Sequence, residues 1–230
     1  MVRPKKILND DVTKAVDEFI DGLLYQYPNH YKRLANHSVL LLASHFTSSA
    51  DGATSYKSKA AVHILSGGGS GHEPSHAGWV GTGMLTGVIC GGIFASPSVT
   101  SILAAIRSVA SPRQNACGIL LIVKNYTGDR LNFGMAVERA NQEGIATRMI
   151  VVADDCALPR KKGITGARGV AGTVLIHKIA GAAAGTSLLF VFFYGRFITA
   201  HVTFVLYQLV VCHSKKLPTL VILLPVDAGV

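Results

Sequence analysis

Residues 60–74 read AAVHILSGGGSGHEP, a short apolar run followed by Ser66-Gly67-Gly68-Gly69-Ser70-Gly71-His72-Glu73-Pro74. The run predicts a strand over residues 60–65 and a glycine loop after it. Consecutive glycines let backbone N–H groups face a small polar ligand with no Cβ in the way. The loop is not a P-loop, because no Gly-Lys-Ser/Thr follows. It is not a dinucleotide fingerprint, because His72 stands where the third glycine belongs. It is not a nucleophile elbow, because Gly68-Gly69-Ser70-Gly71-His72 lacks the last glycine of that motif. Taken alone, a Gly-Ser loop after a strand reads equally well as a plain turn. His72 turns the reading toward a site, since an imidazole titrating near neutral pH can hydrogen-bond or relay a proton to a hydroxyl.

Outward from this loop, strands and helices alternate. Thr86 to Phe94 is a second apolar run, Gly118 to Val123 a third and Met149 to Val152 a fourth. Between them, Val99, Ile102, Leu103 and Ile106 recur at helical spacing behind a cap at Ser96 or Ser98, with Pro97 in the first turn. Leu131, Met135, Ala136, Val137 and Ala140 mark another helix, which Gly144 stops. A helix capped by Asn9 or Asp10 carries Val12 to Leu24 and ends at Pro28, and a last helical pattern covers about 170–184. The polar stretch from Ser44 to Ser58 reads as a loop. Strands apolar on both faces, alternating with helices, predict an α/β fold, a mostly parallel sheet with flanking helices.

In such sheets ligands sit beyond the carboxyl ends of the strands. Three polar segments fall there: the glycine loop, the loop Lys124-Asn125-Tyr126-Thr127-Gly128-Asp129, and the pair Asp154–Asp155. Asp129 reads as a helix cap or, facing the glycine loop, as a group that takes a proton from a substrate hydroxyl. Lys124 reads as a charge partner for a substrate oxygen or as a side chain snorkelling from the strand end. Asp154 and Asp155 point to opposite faces if the strand continues, so they read as loop or capping residues and no metal site is assigned. His63 and His177 read as structural, and His76, close to the crevice, stays open.

The chain has 230 residues and a formal charge of +9, with 49% hydrophobic and 15% charged residues. That composition predicts a sizeable core and excludes global disorder. The basic residues are dispersed and no aromatic residues interleave with them, so they read as a solvated surface and not as a nucleic-acid footprint. Cys90, Cys117, Cys156 and Cys212 form no C-x-x-C pair and sit at no zinc spacing. They read as reduced thiols of a cytoplasmic protein. Residues 1–11 are charged and lack the apolar core of a signal peptide.

From Leu188 to Cys212 the pattern breaks into LLFVFFYGRFITAHVTFVLYQLVVC, and Asp227 is the one acidic residue after Asp155. The segment is long enough to span a bilayer. A mid-membrane Arg196, however, costs roughly 2.5–3.5 kcal/mol on insertion scales. Membrane contact is therefore the lesser reading, and a tail that did not evolve with the fold is the preferred one.

Three ordered blocks carry a resemblance: LSGGGSGHEPSHAGWVGTGMLTGVICGGIFASPS (65–98), GILLIVKNYTGDRLNFGMA (118–136) and GARGVAGTVLIHKIAGAAA (166–184). Together they are similar to dihydroxyacetone (glycerone) kinases, nearest the animal single-chain, ATP-dependent type, over about residues 5–185. The resemblance implies a substrate lobe that binds dihydroxyacetone or glyceraldehyde. It implies that Gly69, Ser70, Gly71 and His72 cradle the triose, that Lys124 and Asp129 touch it, and that Asp129 and His72 polarise the attacking hydroxyl. In such enzymes a separate domain brings ATP and magnesium, so no cofactor is assigned to this chain. Homodimers also occur in the family. The family's later covalent histidine, within a Gly-Ile-His-Gly-Glu segment, has no counterpart here; His201 and His213 lie in other contexts. The expectation is a partial substrate domain over 1–186 followed by a divergent apolar tail over 187–230, with little ATP-dependent turnover by this chain alone. The alternative is a non-catalytic triose-binding or regulatory protein.

Overall fold

The computed structural model describes residues 11–48, 54–56, 62–110, 118–155, 166–184 and 224–225. Nine strands, β1 (Tyr31–Arg33), β2 (Val39–Leu42), β3 (Phe46–Ser48), β4 (Thr54–Tyr56), β5 (Val62–Ser70), β6 (Gly87–Ile93), β7 (Gly118–Lys124), β8 (Thr147–Val152) and β9 (Leu224–Pro225), and four α-helices, α1 (Ala15–Gln26), α2 (Val99–Val109), α3 (Thr127–Gln142) and α4 (Thr173–Ala184), build it. Seven strands form one sheet in the order β1-β2-β6-β5-β7-β8-β9, and β3 pairs with β4. The central four, β6-β5-β7-β8, are parallel. β1, β2 and β9 add on antiparallel. The mostly parallel α/β expectation is met.

The two innermost strands, β5 and β7, are buried on both faces. In β7, Ile119, Leu121 and Val123 pack with Ile102, Leu103, Ile106, Phe133 and Ala136 of α2 and α3. Leu120 and Ile122 pack on the other side, with Val16 and Ile20 of α1 and Ile176 and Ala180 of α4. Alternation along an extended chain produces this split, and two helix layers then remove both faces from water.

Local signals behave as their chemistry predicts, with some shifts. Ser98 caps α2, its hydroxyl accepting from Ser101 N at 3.1 Å. Pro97 lies just before that cap, not in the first turn. Gly144, at φ +79°, follows α3 in a left-handed conformation that suits glycine. Asp11 caps a short 3-10 turn ahead of α1, whereas Asn9 and Asp10 lie outside the described residues. The polar stretch read as a loop holds β3 and β4.

The main shift concerns the glycine loop. β5 runs on through Gly67, Gly68 and Gly69 to Ser70, paired with β6 and, as far as Gly67, with β7, with an irregularity between Gly68 and Ser70. Backbone partners on both sides override glycine's weak preference for strands. The segment is the carboxyl end of a central strand. Chain order proceeds from β5 to β6 on one side and from β7 to β8 on the other. The carboxyl ends of β5 and β7 therefore flank the place where strand order diverges, the position at which open α/β sheets bind ligands.

Candidate functional site

The three glycines of β5 do different things. A methyl group on Gly67 would collide with the Ile89 carbonyl and press the Phe133 ring, and one on Gly69 would lie 2.8 Å from Ala95 N. Both are places where β6 and its following turn approach the strand too closely for a side chain. A methyl on Gly68 would instead meet side chains of the crevice, Asp129 Oδ2 at 3.3 Å and His76 Nε2 at 3.6 Å. Gly68 thus faces the crevice. The sequence reading passed over it in favour of Gly69, Ser70 and Gly71. The Ser70 hydroxyl donates to Gly91 O at 2.8 Å, and Gly71, at φ +112°, lies under the Phe94 ring.

Beyond β5 the chain reverses through residues 71–79. Ser75 N bonds to His72 O, Gly78 N to Pro74 O and Trp79 N to His76 O. This brings His72 and His76 back over the strand end, with ring centroids 5.8 Å apart at nearly right angles. His72 is exposed and His76 is buried.

From β7 comes Lys124, which is 7% exposed, and from the first turn of α3 comes Asp129, 4% exposed. Asp129 is not the cap: that position belongs to Tyr126, and Asp129 stands third in the helix, where the free N–H groups favour an anion. Its Oδ1 accepts from the Ser96 hydroxyl at 2.5 Å, and its Oδ2 takes no hydrogen bond from the described residues. Burial raises the Asp129 pKa, opposed by the Ser96 hydrogen bond, Lys124 and His72. Burial lowers that of Lys124, opposed by Asp129 and Asp154. Lys124 Nζ lies 2.5 Å from His72 Nε2. Burial and then the Lys124 charge hold His72 below its ordinary value, so an ammonium donates to a neutral imidazole.

Behind these groups lies a feature not assembled from the sequence. Ser66 Oγ donates to Ile122 O at 2.6 Å and is 3.2 Å from His177 Nε2 and 3.5 Å from His76 Nδ1. His177, expected to be structural, is wholly buried on α4. Burial, aided by the Lys124 charge, lowers its pKa to about 4.

Asp154 and Asp155 are engaged elsewhere. Asp154 accepts from Val170 N and Gly172 N ahead of α4, and Asp155 pairs with Arg168. Their reading as loop and capping residues agrees with this. The Cys90 thiol is pushed up to about 12 by burial and stays neutral. Cys117, Cys156, Cys212, His201, His213 and the segment from Leu188 to Cys212 lie outside the described residues. Among the described residues, no helix is long and apolar enough to cross a membrane.

The groups of this crevice come from the three sequence blocks quoted above, Gly68, His72 and His76 from the first, Lys124 and Asp129 from the second and His177 from the third. The Dak1 domain model matches residues 21–196. This chain belongs to the Dak1 domain family. It is 52% identical to the triokinase/FMN cyclase of Mus musculus over 180 residues, which cover 78% of this chain and 28% of that protein. Crystal structures of the dihydroxyacetone kinase of C. freundii, native and with AMP-PNP and Mg2+, superpose with a TM-score of 0.68 at 42% identity, covering 81% of this chain and 32% of theirs. The dihydroxyacetone kinase operon co-activator Dha-DhaQ superposes with a TM-score of 0.62 at 39% identity, covering 73% of this chain and 46% of its own. The chain thus spans less than a third of the curated kinase.

Proposed function

We propose that this Dak1 chain seats a triose, dihydroxyacetone or glyceraldehyde, for phosphorylation by ATP at the carboxyl ends of β5 and β7. The observation that carries the reading is Asp129. It is a buried carboxylate with one oxygen anchored by Ser96 and the other turned to Gly68. Its raised pKa makes it a better proton acceptor for a substrate hydroxyl than a solvated carboxylate. Gly69, Ser70 and Gly71 supply the strand end against which the substrate lies. Lys124, moving onto a triose oxygen, frees His72 Nε2 to accept a hydrogen bond in turn. Phosphoryl transfer depends mainly on positioning and charge neutralisation, and these groups position the acceptor.

ATP and magnesium supply the phosphoryl group when bound. No group of three or more His, Cys, Asp or Glu gathers among the described residues to suit a metal ion. In this reading the residues here serve the acceptor side, and no step is assigned to the nucleotide. A homodimer and a cytoplasmic location belong to the same reading.

Titration calorimetry with dihydroxyacetone and glyceraldehyde tests it. The wild-type chain is expected to bind, and Asp129→Asn to weaken binding at least about tenfold, the effect of losing a charged hydrogen-bond acceptor. Absence of binding by wild type, or full affinity in Asp129→Asn, overturns the reading. The likeness to the operon co-activator supports a second reading, a triose-binding regulator without turnover. Formation of phosphorylated triose from ATP and magnesium excludes that one.

A further inference from the structure

Asp154 does more than hold the turn ahead of α4. Its Oδ1 accepts from Val170 N at 2.6 Å and its Oδ2 from Gly172 N at 2.7 Å. A backbone N–H on each oxygen fixes the carboxylate and pins the segment 168–172 beside the carboxyl ends of β7 and β8. Further bonds hold the same segment. Asp155 N donates to Arg168 O at 3.0 Å, and Asn125 Nδ2 to Ala167 O at 2.6 Å. Gly172 has no room for a side chain, since a methyl there would lie 2.5 Å from Asp154 Oδ2.

The pinned segment rests on Lys124. A methyl on Gly169 would lie 2.7 Å from Lys124 Cβ, 2.8 Å from its Cα and 2.5 Å from Val152 O. Only a glycine lets the turn come so close to the stem of the lysine. Asp154 also acts on the other end of that side chain. Its charge, like that of Asp129, favours the ammonium against the cost of burial. The other groups facing the ammonium are His72 at 2.5 Å and the Tyr126 ring, 5.7 Å to its centroid. The buried imidazoles of His76 and His177 complete the set, and the lysine charge opposes their protonation.

The two carboxylates differ in what they can give up. In the reading above Asp129 takes the substrate proton, and its negative charge is then lost to Lys124. Asp154 is tied to two backbone N–H groups and takes no part in that transfer. We infer that Asp154 is a positioning residue of the crevice, which clamps the Gly169 turn onto the Lys124 stem and remains as the counter-charge of the ammonium when Asp129 takes up the proton. The inference deepens the triose reading and rests on it for that last step. The clamp and the charge are properties of the chain alone.

The test reads Lys124 directly, by carbon–nitrogen NMR of labelled lysine side chains, with Lys124→Arg to assign the signal. In Asp154→Asn the ammonium should titrate at lower pH than in wild type, because an opposite charge has gone. Dihydroxyacetone should bind about tenfold more weakly, the worth of one displaced charged hydrogen bond. On the alkaline side its affinity should also begin to fall at lower pH than in wild type. Asp155→Asn, next in the chain and paired with Arg168, should change neither readout. Gly169→Ala keeps both carboxylates and disturbs the clamp. It should weaken dihydroxyacetone binding, and it decides the clamp if Asp154→Asn fails to fold. An unchanged Lys124 titration in folded Asp154→Asn overturns the inference and leaves Asp154 as a support of α4 only. An equal shift in Asp155→Asn overturns it too, since any loosening of the turn would then suffice. Full affinity in Gly169→Ala overturns the clamp. If wild type binds no dihydroxyacetone, the triose reading falls, while the lysine titration still decides the role of Asp154.

Discussion

The two halves of β5 are buried alike and made of different material. The amino half, Val62–Leu65, contributes Val62 and Ile64 to one core layer and Leu65 to the other. The carboxyl half, Ser66–Ser70, lies in the same sheet, paired with β6 and, only as far as Gly67, with β7, and has no hydrocarbon side chain. The space its glycines leave is occupied by other elements: the Phe133 ring from α3, the Phe94–Ala95 backbone after β6, and the side chains of Asp129 and His76. One strand thus supplies packing at one end and a shaped recess at the other. The change falls between Leu65 and Ser66, within continuous backbone pairing.

The strongest way to break this contrast is to remove what fills the glycine end. Phe133 is fully buried and meets Gly67 through its ring tip. Phe133→Ala should destabilise by about 3–5 kcal/mol, whereas Ile64→Val in the amino half should cost only about 0.5–1.5 kcal/mol. Urea unfolding of both variants checks the ordering. Equal losses would mean that the glycine end does not depend on its visitors.

A second effect reaches the carboxyl half through Ser66. His177 has a folded-state pKa of about 4 against an ordinary 6.5. Between those values the unfolded chain binds a proton at this residue and the folded chain does not, so stability falls as pH drops through that window. The loss amounts to about 3 kcal/mol if the whole shift is expressed. His76, also held neutral by burial, acts in the same direction. Asp129 acts in the other: its raised pKa means that the folded state holds its proton longer, so its contribution declines as pH rises above 3.8. Comparing wild type with His177→Gln isolates the histidine. The variant should show a shallower loss of urea midpoint from about pH 6.5 to pH 4.

What was legible in the sequence follows the same division. β7 announced itself because a strand buried on both faces is uniformly apolar, β6 and β8 through their shorter apolar runs, α2 through its Ser98 cap and α3 through its stop at Gly144. β1 and β2 were missed because they are short and acquire their identity by antiparallel pairing at the sheet edge. The glycine run was read as a loop because glycine has little strand propensity, and only the flanking strands extend β5 through it. Asp129, Lys124 and His72 were legible as types of residue at strand ends. Their supports were not. Ser96 meets Asp129 across 33 residues, and His177 meets Ser66 across 111. His76 lies only ten residues from Ser66, yet it is the chain reversal over residues 71–79 that returns its ring to within 3.5 Å of the Ser66 hydroxyl. Distances of that kind are properties of the fold and leave no local signature.

The smallest effect gives the finest division of the strand. Gly67 and Gly68 are neighbours, and the same change, glycine to alanine, separates their roles. At Gly67 the new methyl meets the Ile89 carbonyl, a backbone atom of a paired strand that cannot step aside, and presses the Phe133 ring. Overpacking of that kind costs about 1–3 kcal/mol. At Gly68 the φ of +159° is one that side-chain-bearing residues rarely adopt, and the nearest atoms are the ends of two side chains, at 3.3 and 3.6 Å. These can yield by a few tenths of an ångström. The strain of a side chain at that φ outweighs the lower chain entropy of alanine in the unfolded state, so Gly68→Ala should also destabilise, by about 1–3 kcal/mol. Binding should tell the two apart. Both variants should melt early, but folded Gly68→Ala should bind dihydroxyacetone more weakly, because its methyl lies 3.3 Å from Asp129 Oδ2, whereas the folded fraction of Gly67→Ala should keep wild-type affinity. If folded Gly68→Ala binds dihydroxyacetone as wild type does, the boundary between packing and recess lies further along the strand, at Gly69 or beyond.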